Sequence, residues 1–501
     1  MYTAKVVPQR FGVYEKTDVR VEIRSNAVMR SGTEIEVQFP NSWTMDRCAS
    51  FTKEYQGEDR SAAEFLRVSA PDTDASFEWR VEPREFDSRE DATRHGRCIF
   101  ITLTEGEVAP GAPVVVEWCN TLASRRAEVE IVHVAVNGER LNPLPEIITD
   151  PGAEVRLRVI APSAVRPGEE FEVRIVSLDA YENASSTWHH GDALLGADGE
   201  TICGPLHFVE TRTVPVALAD EGVVRLSYRG KLSNPIRVTE NPRGPYWGDT
   251  HIHTRWSHDA IGRFPYEYAR EVSGLDFAAV CDHAESVVFS WDHVVAMTND
   301  HNEPGRFVTL MAYENGLGAP SGHHNTYYRG EAGRCYLKPE FDGDISKLHA
   351  MLEPADAMTI PHHPAIVWGH SKGGAAVDWV KFDARFTPVV EIYSHHGQSE
   401  RYAPDHVNAY EFNRWHKPGE RTNRSVAGHF AQDAWRMGKR IGVICSSDDH
   451  YGQGGMDFEG IAGVFADELT REGIWDAIRG RHCYGTTGER ILLDPRLAGT
   501  E

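Results

Sequence analysis

The second half of the chain repeats one pattern, a short apolar run that ends in histidine, aspartate or glutamate. FAAV (277–280) leads to an Asp-His pair, FVTLMAY (307–313) leads to Glu314, and IGVIC (441–445) leads to SSDDH. The same pattern precedes the histidines at 251–253, 362–363 and 395–396. Helix-like stretches alternate with these runs, for example 264–274 and 469–481, the second with Thr470 as its expected N-cap. Such alternation is typical of a parallel α/β arrangement, either a barrel or a doubly wound sheet.

The first 240 residues have a different pattern. Val155, Leu157 and Val159 alternate with charged residues, and turn residues such as PGAE (151–154) separate similar runs. A period of two predicts strands with one buried face. A chain of 501 residues is also long enough for about two to four domains. We therefore expect a β-rich module at 1–150, a second β-sandwich-like module at 151–243 and an α/β domain at 244–501.

Charge and cysteine usage narrow the function classes. The net charge of −23 repels phosphate backbones and anionic lipids, so neither a nucleic-acid partner nor a membrane is expected. The eight cysteines form no CxxC pair, which argues against a zinc ribbon or a dense disulfide framework. The first residues lack the apolar core of a signal peptide, and no apolar stretch approaches 18 residues. These features predict a cytoplasmic protein that acts on a small molecule.

The residue types at the run ends are those that bind metals. Nineteen of the 24 histidines lie in 247–501, and histidine, aspartate and glutamate suit Zn²⁺, Mn²⁺ or Fe²⁺. In His251-Ile252-His253 on an extended strand, both imidazoles point to the same side and can reach one metal. A glutamate can also bridge two cations, because each oxygen can bind one. Any one of these motifs alone has an ordinary structural explanation. Six of them together predict a metal site, since the strand ends of a barrel converge on one mouth.

Six motifs, taken in order, resemble those of the polymerase-and-histidinol-phosphatase (PHP) superfamily. They are GDTHIHTRWSHDA (248–260), CDHAE (281–285), AYEN (312–315), PHHPA (361–365), EIYSHHGQSE (391–400) and SSDDH (446–450). The chain is most similar to a large branch labelled as a domain of unknown function, which has a β-rich N-terminal region and a motif like RHCYGTTGERI (481–491). The resemblance covers about 246–492 and more loosely 151–240. It implies a distorted (β/α)₇ TIM-like barrel that holds two or three divalent metal ions, Zn, Mn or Fe.

The resemblance also implies three sets of metal ligands. The first metal would bind to His251, His253, Glu314 and Asp448. The second would bind to Glu314, His363 and His396, and the third to Asp259, His283 and His450. His362 competes with His363, which is preferred because the family usually has histidine before proline. His395 competes with His396, which is preferred because HG followed by Ser-Glu matches this branch.

The same resemblance implies hydrolysis of a small-molecule phosphate ester. Clustered divalent ions lower the pKa of bound water from about 15.7 toward about 7 and so supply hydroxide at neutral pH. The proton donor would be His283, Asp449 or a water molecule. Candidate substrate-binding residues lie near the motifs, and His323 leads them because GHxN resembles a recurring motif of the branch; they are His323, Asn325, Arg255, Lys372, Arg401 and Arg490.

Two other function classes remain open on the sequence. One is a different metal-dependent reaction, such as hydrolysis of an amide, sulfate ester or lactone, or an elimination. The other is a non-catalytic protein with a structural metal, although such a site needs only four ligands. The segment 397–435 is long, polar and aromatic, and it is expected either to form a substrate-selecting lid or to pack as an ordinary helical excursion.

Overall fold

The computed structural model describes residues 1–46, 51–83, 97–317, 321–366, 376–402 and 427–493. The chain forms two compact units. The first unit comprises Met1–Val155, Leu178–Thr187 and Arg255–Arg263. The second unit comprises Arg156–Ser177, Trp188–Thr254 and Phe264–Glu501, so most of the region 151–243 is grouped with the metal-type motifs.

The first unit is built from strands. They are β1 (Tyr2–Val7), β2 (Arg10–Gly12), β3 (Lys16–Ser25), β4 (Met29–Arg30), β5 (Glu34–Gln38), β6 (Met45–Asp46), β7 (Phe51–Thr52), β8 (Phe65–Ser69), β9 (Ser76–Pro83), β10 (Arg97–Glu105), β11 (Glu107–Val108), β12 (Pro113–Leu122), β13 (Val129–Ile131), β14 (His133–Val136), β15 (Glu139–Arg140) and β16 (Glu146–Asp150), with the short helix α1 (Asn41–Thr44).

Two sheets of the first unit share one hydrophobic core. Their strand orders are β1-β3-β12-β8 and β15-β14-β5-β10-β9. Val21 on β3 lies opposite Val116 on β12, and Val37 on β5 lies opposite Ile99 on β10. All four side chains are buried in the same apolar cluster. The period of two in the sequence therefore places one face of each sheet in the core.

The N-terminal part of the second unit is also made of strands. They are β17 (Arg156–Ile160), β18 (Ala164–Val165), β19 (Glu170–Leu178), β20 (His189–Leu195), β21 (Thr201–Phe208), β22 (Thr211–Ala217), β23 (Gly222–Val224), β24 (Ser227–Tyr228), β25 (Lys231–Leu232) and β26 (Ile236–Val238). They form the sheets β17-β19-β22, β18-β26-β23 and β21-β20-β24-β25. Val173, Leu194 and Ile236, one from each sheet, belong to one buried cluster.

The rest of the second unit mixes strands with short helices. The strands are β27 (Tyr246–Ile252), β28 (Phe277–Val280), β29 (Val308–Thr309), β30 (Met311–Gly316), β31 (His323–Tyr328), β32 (Ala357–Pro361), β33 (Val389–Glu391), β34 (Tyr393–Ser394), β35 (Gly397–Gln398), β36 (Gly442–Ile444), β37 (Ile461–Val464) and β38 (Cys483–Thr486). The α-helices are α2 (Pro265–Glu267), α3 (Ala284–Val287), α4 (Trp291–Asp300), α5 (Ile345–Met351), α6 (Ala431–Arg436) and α7 (Arg471–Gly480).

Several helical turns complete the second unit. A π-helical turn spans Tyr268–Val272, and 3₁₀ turns span Val288–Ser290, Lys338–Phe341 and Trp379–Lys381. Thr470 is the N-cap of α7, as predicted, because its side chain accepts a hydrogen bond from the backbone N–H of Gly473. Within the described ranges, every helix is too short or too polar to cross a bilayer.

The predicted distorted (β/α)₇ TIM-like barrel is wrong. Of the described residues, 41% lie in strands and only 14% in helices, and they form many small sheets and no closed barrel. Parallel pairing is limited to pairs such as β27–β28, β28–β29 and β33–β36, whereas β30-β31-β32 is antiparallel and β37 runs antiparallel to β27. A barrel of this class needs a helical crossover between successive parallel strands, and the β30–β31 hairpin has none.

The strand ends nevertheless converge without a barrel. The end of β27 pairs with the segment after β36 through an isolated bridge between Ile252 and Asp449. A second bridge joins His283, just after β28, to Glu314 on β30. The antiparallel hairpin then places Asn325 of β31 directly opposite Glu314. Separate sheets thus deliver the metal-type residues to one place.

A glycine close to the SSDDH segment provides a test of this packing. A Cβ atom on Gly460 would lie 2.1 Å from the backbone oxygen of Ser446 and 2.6 Å from that of Tyr393. We expect Gly460→Ala to lower the free energy of unfolding by about 1–3 kcal/mol, because the backbone must shift to remove the clash. Thermal denaturation measures the change.

The matched control for this substitution is Gly330→Ala. No atom lies within 4 Å of the position that a Cβ on Gly330 would take, and its φ is not left-handed. We expect a change within about 0.5 kcal/mol for this variant. Equal melting temperatures for the two variants would show that the approach between Gly460 and Ser446 does not constrain the fold.

Candidate metal centre

Four ligand atoms from three parts of the second unit form a compact group. His251 Nε2 lies 3.1 Å from His253 Nε2, 3.4 Å from Glu314 Oε2 and 3.3 Å from Asp448 Oδ1. His253 Nε2 lies 3.0 Å from Glu314 Oε2 and 3.4 Å from Asp448 Oδ1. Ligands at Zn–N and Zn–O distances in a tetrahedral site are about 3.3 Å apart. The group, here called the central group, therefore fits a divalent ion with little rearrangement.

Backbone geometry holds the central group in place. His251 and His253 are two residues apart in an extended segment at the end of β27, so their side chains point to the same face. Asp448 adopts a left-handed φ of +54°, which is rare for a residue with a side chain. Its backbone N–H donates to the carbonyl of His251 (2.9 Å), and the N–H of His253 donates to the carbonyl of Asp449 (2.7 Å). Backbone hydrogen bonds thus join the segment that carries His251 and His253 to the segment that carries Asp448.

Glu314 presents its other oxygen to a second set of imidazoles. Oε1 lies 2.7 Å from His323 Nδ1 and 3.2 Å from His362 Nε2. His283 Nδ1 is further away, at 3.7 Å. Ligand atoms of His323, His362 and His363 also lie within 4.8 Å of one another. One carboxylate therefore faces two groups of metal-type ligands, which is the geometry of a bridge.

Asp448, like Glu314, directs its two carboxylate oxygens toward different groups of ligands. Its Oδ1 faces the central group, and its Oδ2 lies 3.1 Å from His396 Nε2. The ligand atoms of His363, His396 and Asp448 lie within 4.8 Å of one another. The structure thus provides two carboxylates that could each bridge a pair of cations, one more than the sequence predicted.

The adjacent histidines 362–363 and 395–396 have different neighbours among these groups of ligands. His362, rather than the preferred His363, lies against Glu314, while His363 is grouped with His396 and Asp448. His363 has a left-handed φ of +31°, and its ring is perpendicular to that of His362 (88°). His395 Nε2 lies 3.1 Å from His396 Nε2. His362, His363 and His396 therefore belong to the ligand groups, and His395 lies beside His396.

The third predicted ligand set is only partly within the second unit. The ring centroid of His253 lies 4.9 Å from that of His283 and 4.5 Å from that of His450. His450 Nδ1 lies 2.8 Å from the backbone oxygen of Asp448. Asp259 belongs to the segment Arg255–Arg263 of the first unit and is described with that unit. A third site at Asp259, His283 and His450 stays a prediction.

Burial and charge keep the central carboxylates ionised. Burial raises the pKa of Glu314, but the charges of His283 and His362 and hydrogen bonds from His251 and His253 hold it well below its usual range. For Asp448, burial is likewise outweighed, chiefly by His251 and His396, so its pKa is also well below the usual range. A pair of buried carboxylates that stay charged is what a divalent cation requires.

His251 is the most strongly perturbed base of the central group. Burial lowers its pKa, but the charges of Asp448 and Glu391 and hydrogen bonds to Glu314 and Glu391 raise it to about 10. A metal ligand must be deprotonated, so binding of a cation here would release a proton from the cluster.

Glu391 is a functional candidate that the sequence interpretation missed. It ends β33, is 2% exposed, and its Oε2 lies 3.1 Å from His251 Nδ1. A carboxylate on the second nitrogen of a ligating histidine fixes its tautomer and leaves Nε2 free for the metal. A signal was present, since Glu391 interrupts the apolar run PVVEIY (388–393).

This contact makes a prediction for metal affinity. Glu391→Gln retains the size of the side chain but removes its charge from His251 Nδ1, so we expect metal affinity to fall by about 10- to 100-fold. Competition with a chromophoric chelator measures the change. Glu353→Gln removes an exposed carboxylate elsewhere in the second unit and should leave the affinity unchanged. Equal affinities for both variants would remove Glu391 from the site.

The other predicted site residues have different surroundings. Asp449 accepts hydrogen bonds from the backbone N–H groups of Tyr451 and Gln453. The amide of Asn325 lies 3.4 Å from the hydroxyl of Tyr327 and is buried. Asp449 therefore supports the backbone around the site, and substrate binding by Asn325 stays a prediction.

The predicted cationic substrate ligands have other interaction partners or lie outside the described residues. Arg490 donates to the carbonyls of Ser273 (2.7 Å) and Gly274 (3.0 Å). Arg401 lies 3.7 Å from Glu400 and its side chain is 55% exposed. Arg255 belongs to the first unit, where the charges of Glu128 and Glu130 act on it. Lys372 and most of the predicted lid, 403–426, lie outside the described residues.

His323, predicted to bind the substrate, makes the shortest contact with Glu314. We expect His323→Ala to reduce the metal content per chain by about one ion and to lower kcat, because the variant lacks one candidate ligand of the cation that Glu314 Oε1 would share with His362. Elemental analysis and steady-state kinetics measure both quantities, and His482→Ala, which removes an exposed imidazole, is the control. A raised KM with unchanged metal content would instead support the substrate-binding prediction.

The chain is similar to a family model of unknown function and to uncharacterised proteins. A family model described as a protein of unknown function (DUF3604) matches residues 288–459 and 446–498, together less than half of the chain. The matched segments contain Glu314, His363, His396 and Asp448 but not the His251–His253 motif. The chain is 26% identical over 239 residues to an uncharacterised protein of Chlamydia pneumoniae. It is 22% identical over 374 residues to an uncharacterised protein of Chlamydia muridarum (strain MoPn / Nigg).

The matches extend over only part of these relatives. The first match covers 45% of this chain and 36% of the Chlamydia pneumoniae protein. The second match covers 67% of this chain and 56% of the Chlamydia muridarum protein. Among solved structures, InvD of Yersinia pseudotuberculosis matches with a TM-score of 0.24 at 11% identity, over 49% of this chain and 61% of that chain. A type II cohesin dyad of Acetivibrio cellulolyticus matches with a TM-score of 0.18 at 9% identity, over 48% of this chain and 99% of that chain. TM-scores this low do not establish a common fold.

Proposed function

We propose that the second unit is a metal-dependent hydrolase with a bi- or trinuclear site for Zn, Mn or Fe. The observation that carries the proposal is the central group, in which five ligand–ligand distances fall between 3.0 and 3.4 Å. Glu314 and Asp448 each turn a second oxygen to further histidines, so the ligand set exceeds what a closed structural site needs. Bound divalent ions would supply an activated water at neutral pH.

Within this proposal, His283 is the better proton donor of the two predicted candidates. Both carboxylate oxygens of Asp449 already accept backbone N–H groups, and the side chain is fully buried. His283 precedes α3 and lies at the edge of the ligand cluster, 7% exposed. In a binuclear site, where His283 is not a metal ligand, its protonated imidazole can donate a proton to a leaving group.

A phosphate ester is the first substrate class to test. The order of the six motifs, which resembles that of the PHP superfamily, supports this class even though the strands do not form a barrel. A small-molecule substrate is favoured over a nucleic acid by the net charge of −23. The seven cysteines in the described ranges are all free thiols, which supports a reducing compartment such as the cytoplasm.

One observation favours the second class, hydrolysis of a bond without phosphate. Arg490 and Arg401, predicted to bind an anionic substrate, are engaged by backbone carbonyls and by Glu400, respectively. A substrate without negative charge needs no such cations. Of the second class, an amide or a lactone, neither of which carries a negative charge, therefore belongs in the same substrate panel, with a neutral carboxylic ester as a model substrate.

The proposal is tested by metal content and turnover in one experiment. The protein is purified, its metals are quantified, and it is assayed with 4-nitrophenyl phosphate, bis(4-nitrophenyl) phosphate, 4-nitrophenyl acetate and a lactone. We expect two or three metal ions per chain and turnover of a phosphate ester. Turnover of a neutral substrate alone would move the assignment to the second class, and a chain that binds no metal after reconstitution would contradict both.

Substitution of the bridging carboxylates should abolish this turnover. We expect Glu314→Gln and Asp448→Asn to lose at least one metal ion per chain and about a hundredfold or more in kcat/KM, because each removes charge from two ligand groups. Glu353→Gln is again the control. Activity retained by both site variants would show that these carboxylates are not part of a catalytic centre.

A further inference from the structure

Two histidines outside the metal-type motifs lie against each other on the surface of the second unit. His190 is on β20 and His207 is on β21, and the two residues are directly opposite in the antiparallel ladder. Their Nδ1 atoms are 2.8 Å apart, and their ring centroids are 4.5 Å apart. Both residues are exposed. They are here called the surface pair, and neither belongs to the groups of metal-type ligands described above.

The neighbouring residues hold the surface pair on the outer side of its sheet. His189 lies directly opposite Phe208 in the same ladder, and both side chains are buried. Their rings are stacked, with centroids 4.4 Å apart and an interplanar angle of 5°. Successive side chains of a strand point to opposite faces. Burial of His189 and Phe208 therefore turns His190 and His207 toward solvent, side by side.

A β-bulge follows His190 on the same strand. The register shifts between His190 and Asp192, and Gly191 has a left-handed φ of +87°, which glycine adopts without steric cost. Asp192 Oδ2 lies 3.8 Å from Arg229 Nε, so this carboxylate has a partner other than the surface pair. In the described part of the chain, no further histidine, cysteine or carboxylate has a ligand atom within 4.8 Å of both Nδ1 atoms. The surface pair thus offers two ligands and leaves any further position of an ion open.

The short contact between the two rings requires a proton or a cation between their nitrogens. Two lone pairs that face each other at 2.8 Å repel, so one Nδ1 must carry a proton that the other accepts. Within the described ranges, neither ring makes another hydrogen bond or an ion pair. Imidazole nitrogens bind metals in their deprotonated form. A metal ion can therefore replace the shared proton and accept both lone pairs.

The separation of the two nitrogens matches one class of metal ion. At a metal–nitrogen distance of about 2.0 Å, two ligands that subtend 90° at the ion are about 2.8 Å apart, whereas tetrahedral ligands are about 3.3 Å apart. Square-planar or tetragonal coordination by nitrogen is typical of Cu²⁺ and Ni²⁺, and tetrahedral coordination is typical of Zn²⁺. The 2.8 Å separation in the surface pair therefore favours Cu²⁺ or Ni²⁺.

We propose that the surface pair is a further metal site, which binds one Cu²⁺ or Ni²⁺ ion through His190 Nδ1 and His207 Nδ1 in adjacent positions. The ion would join β20 to β21 on the outer face of the sheet, and its other positions would take water or a ligand from solution. The proposal does not depend on hydrolysis at the central group, because the two sites share no residues.

Copper(II) iminodiacetate tests the proposal on the full chain with its metals. The chelator occupies three positions of the copper ion and leaves adjacent positions for two imidazoles. The residues of the central group are at most 2% exposed and cannot receive a chelated ion, whereas the surface pair is exposed. We expect one copper chelate per chain, with two imidazole nitrogens in its electron paramagnetic resonance spectrum. In His190→Ala and in His207→Ala, we expect the dissociation constant to rise about tenfold or more, because binding by two rings is lost.

The matched control is His482→Ala, which removes one exposed imidazole elsewhere in the second unit and should bind the chelate as the unmodified protein does. Each single variant of the surface pair should lose as much affinity as the double variant His190→Ala/His207→Ala. Losses that add up would show two independent histidines and overturn the site, as would equal affinities of His190→Ala and His482→Ala.

A crystal soaked in CuCl₂ locates the ion directly. We expect an anomalous-diffraction peak between the two Nδ1 atoms of the surface pair. Copper found only at the central group, with the surface pair free of it, would overturn the proposal and leave the proposed hydrolase function untouched. His190 and His207 are both exposed, and unchanged melting temperatures of their variants would exclude unfolding as the cause of any lost binding.

Discussion

The structure of the second unit is organised around the Glu314 carboxylate. It is 2% exposed, so its negative charge must be balanced by groups inside the protein. Five histidines lie within 4 Å of its two oxygens: His251, His253, His283, His323 and His362. These histidines come from four separate segments of the chain. The requirement to surround one buried anion therefore brings β27, β28, β30–β31 and β32 to a common point.

Other buried carboxylates hold the backbone around this point. Asp282 accepts hydrogen bonds from the backbone N–H (2.6 Å) and the hydroxyl (2.7 Å) of Thr254. Asp249 accepts from the N–H groups of His251, Ser447 and Gly455. Burial raises the pKa of Asp282 to about 6 and that of Asp249 to about 7, although these hydrogen bonds oppose the shift. The ligand strands are thus positioned by a second layer of polar contacts that the apolar cores alone could not supply.

The apolar runs located the strands but did not determine how they pair. FVTLMAY was interpreted as one strand of a parallel barrel, whereas the structure divides it between β29, parallel to β28, and β30, antiparallel to β31. A short buried strand has the same apolar composition in either direction of pairing, so composition cannot distinguish the two. The GHHN segment (322–325) supplied the predicted substrate-binding residues His323 and Asn325 through a motif resemblance, and its pairing with the strand of Glu314 became evident only in the structure.

The sequence by itself determined which kinds of groups the second unit would collect. The apolar runs predicted a cluster of nitrogen and oxygen ligands, and the resemblance of the motifs to the PHP superfamily implied that His251, His253, Glu314 and Asp448 form one set. Only the tertiary structure decided which atom faces which neighbour. It placed His362 rather than His363 against Glu314, and it placed Glu391, at the end of its strand, behind His251. The physical reason is that these directions follow from backbone angles, such as the left-handed φ of His363 and Asp448, and from strand pairing between distant segments.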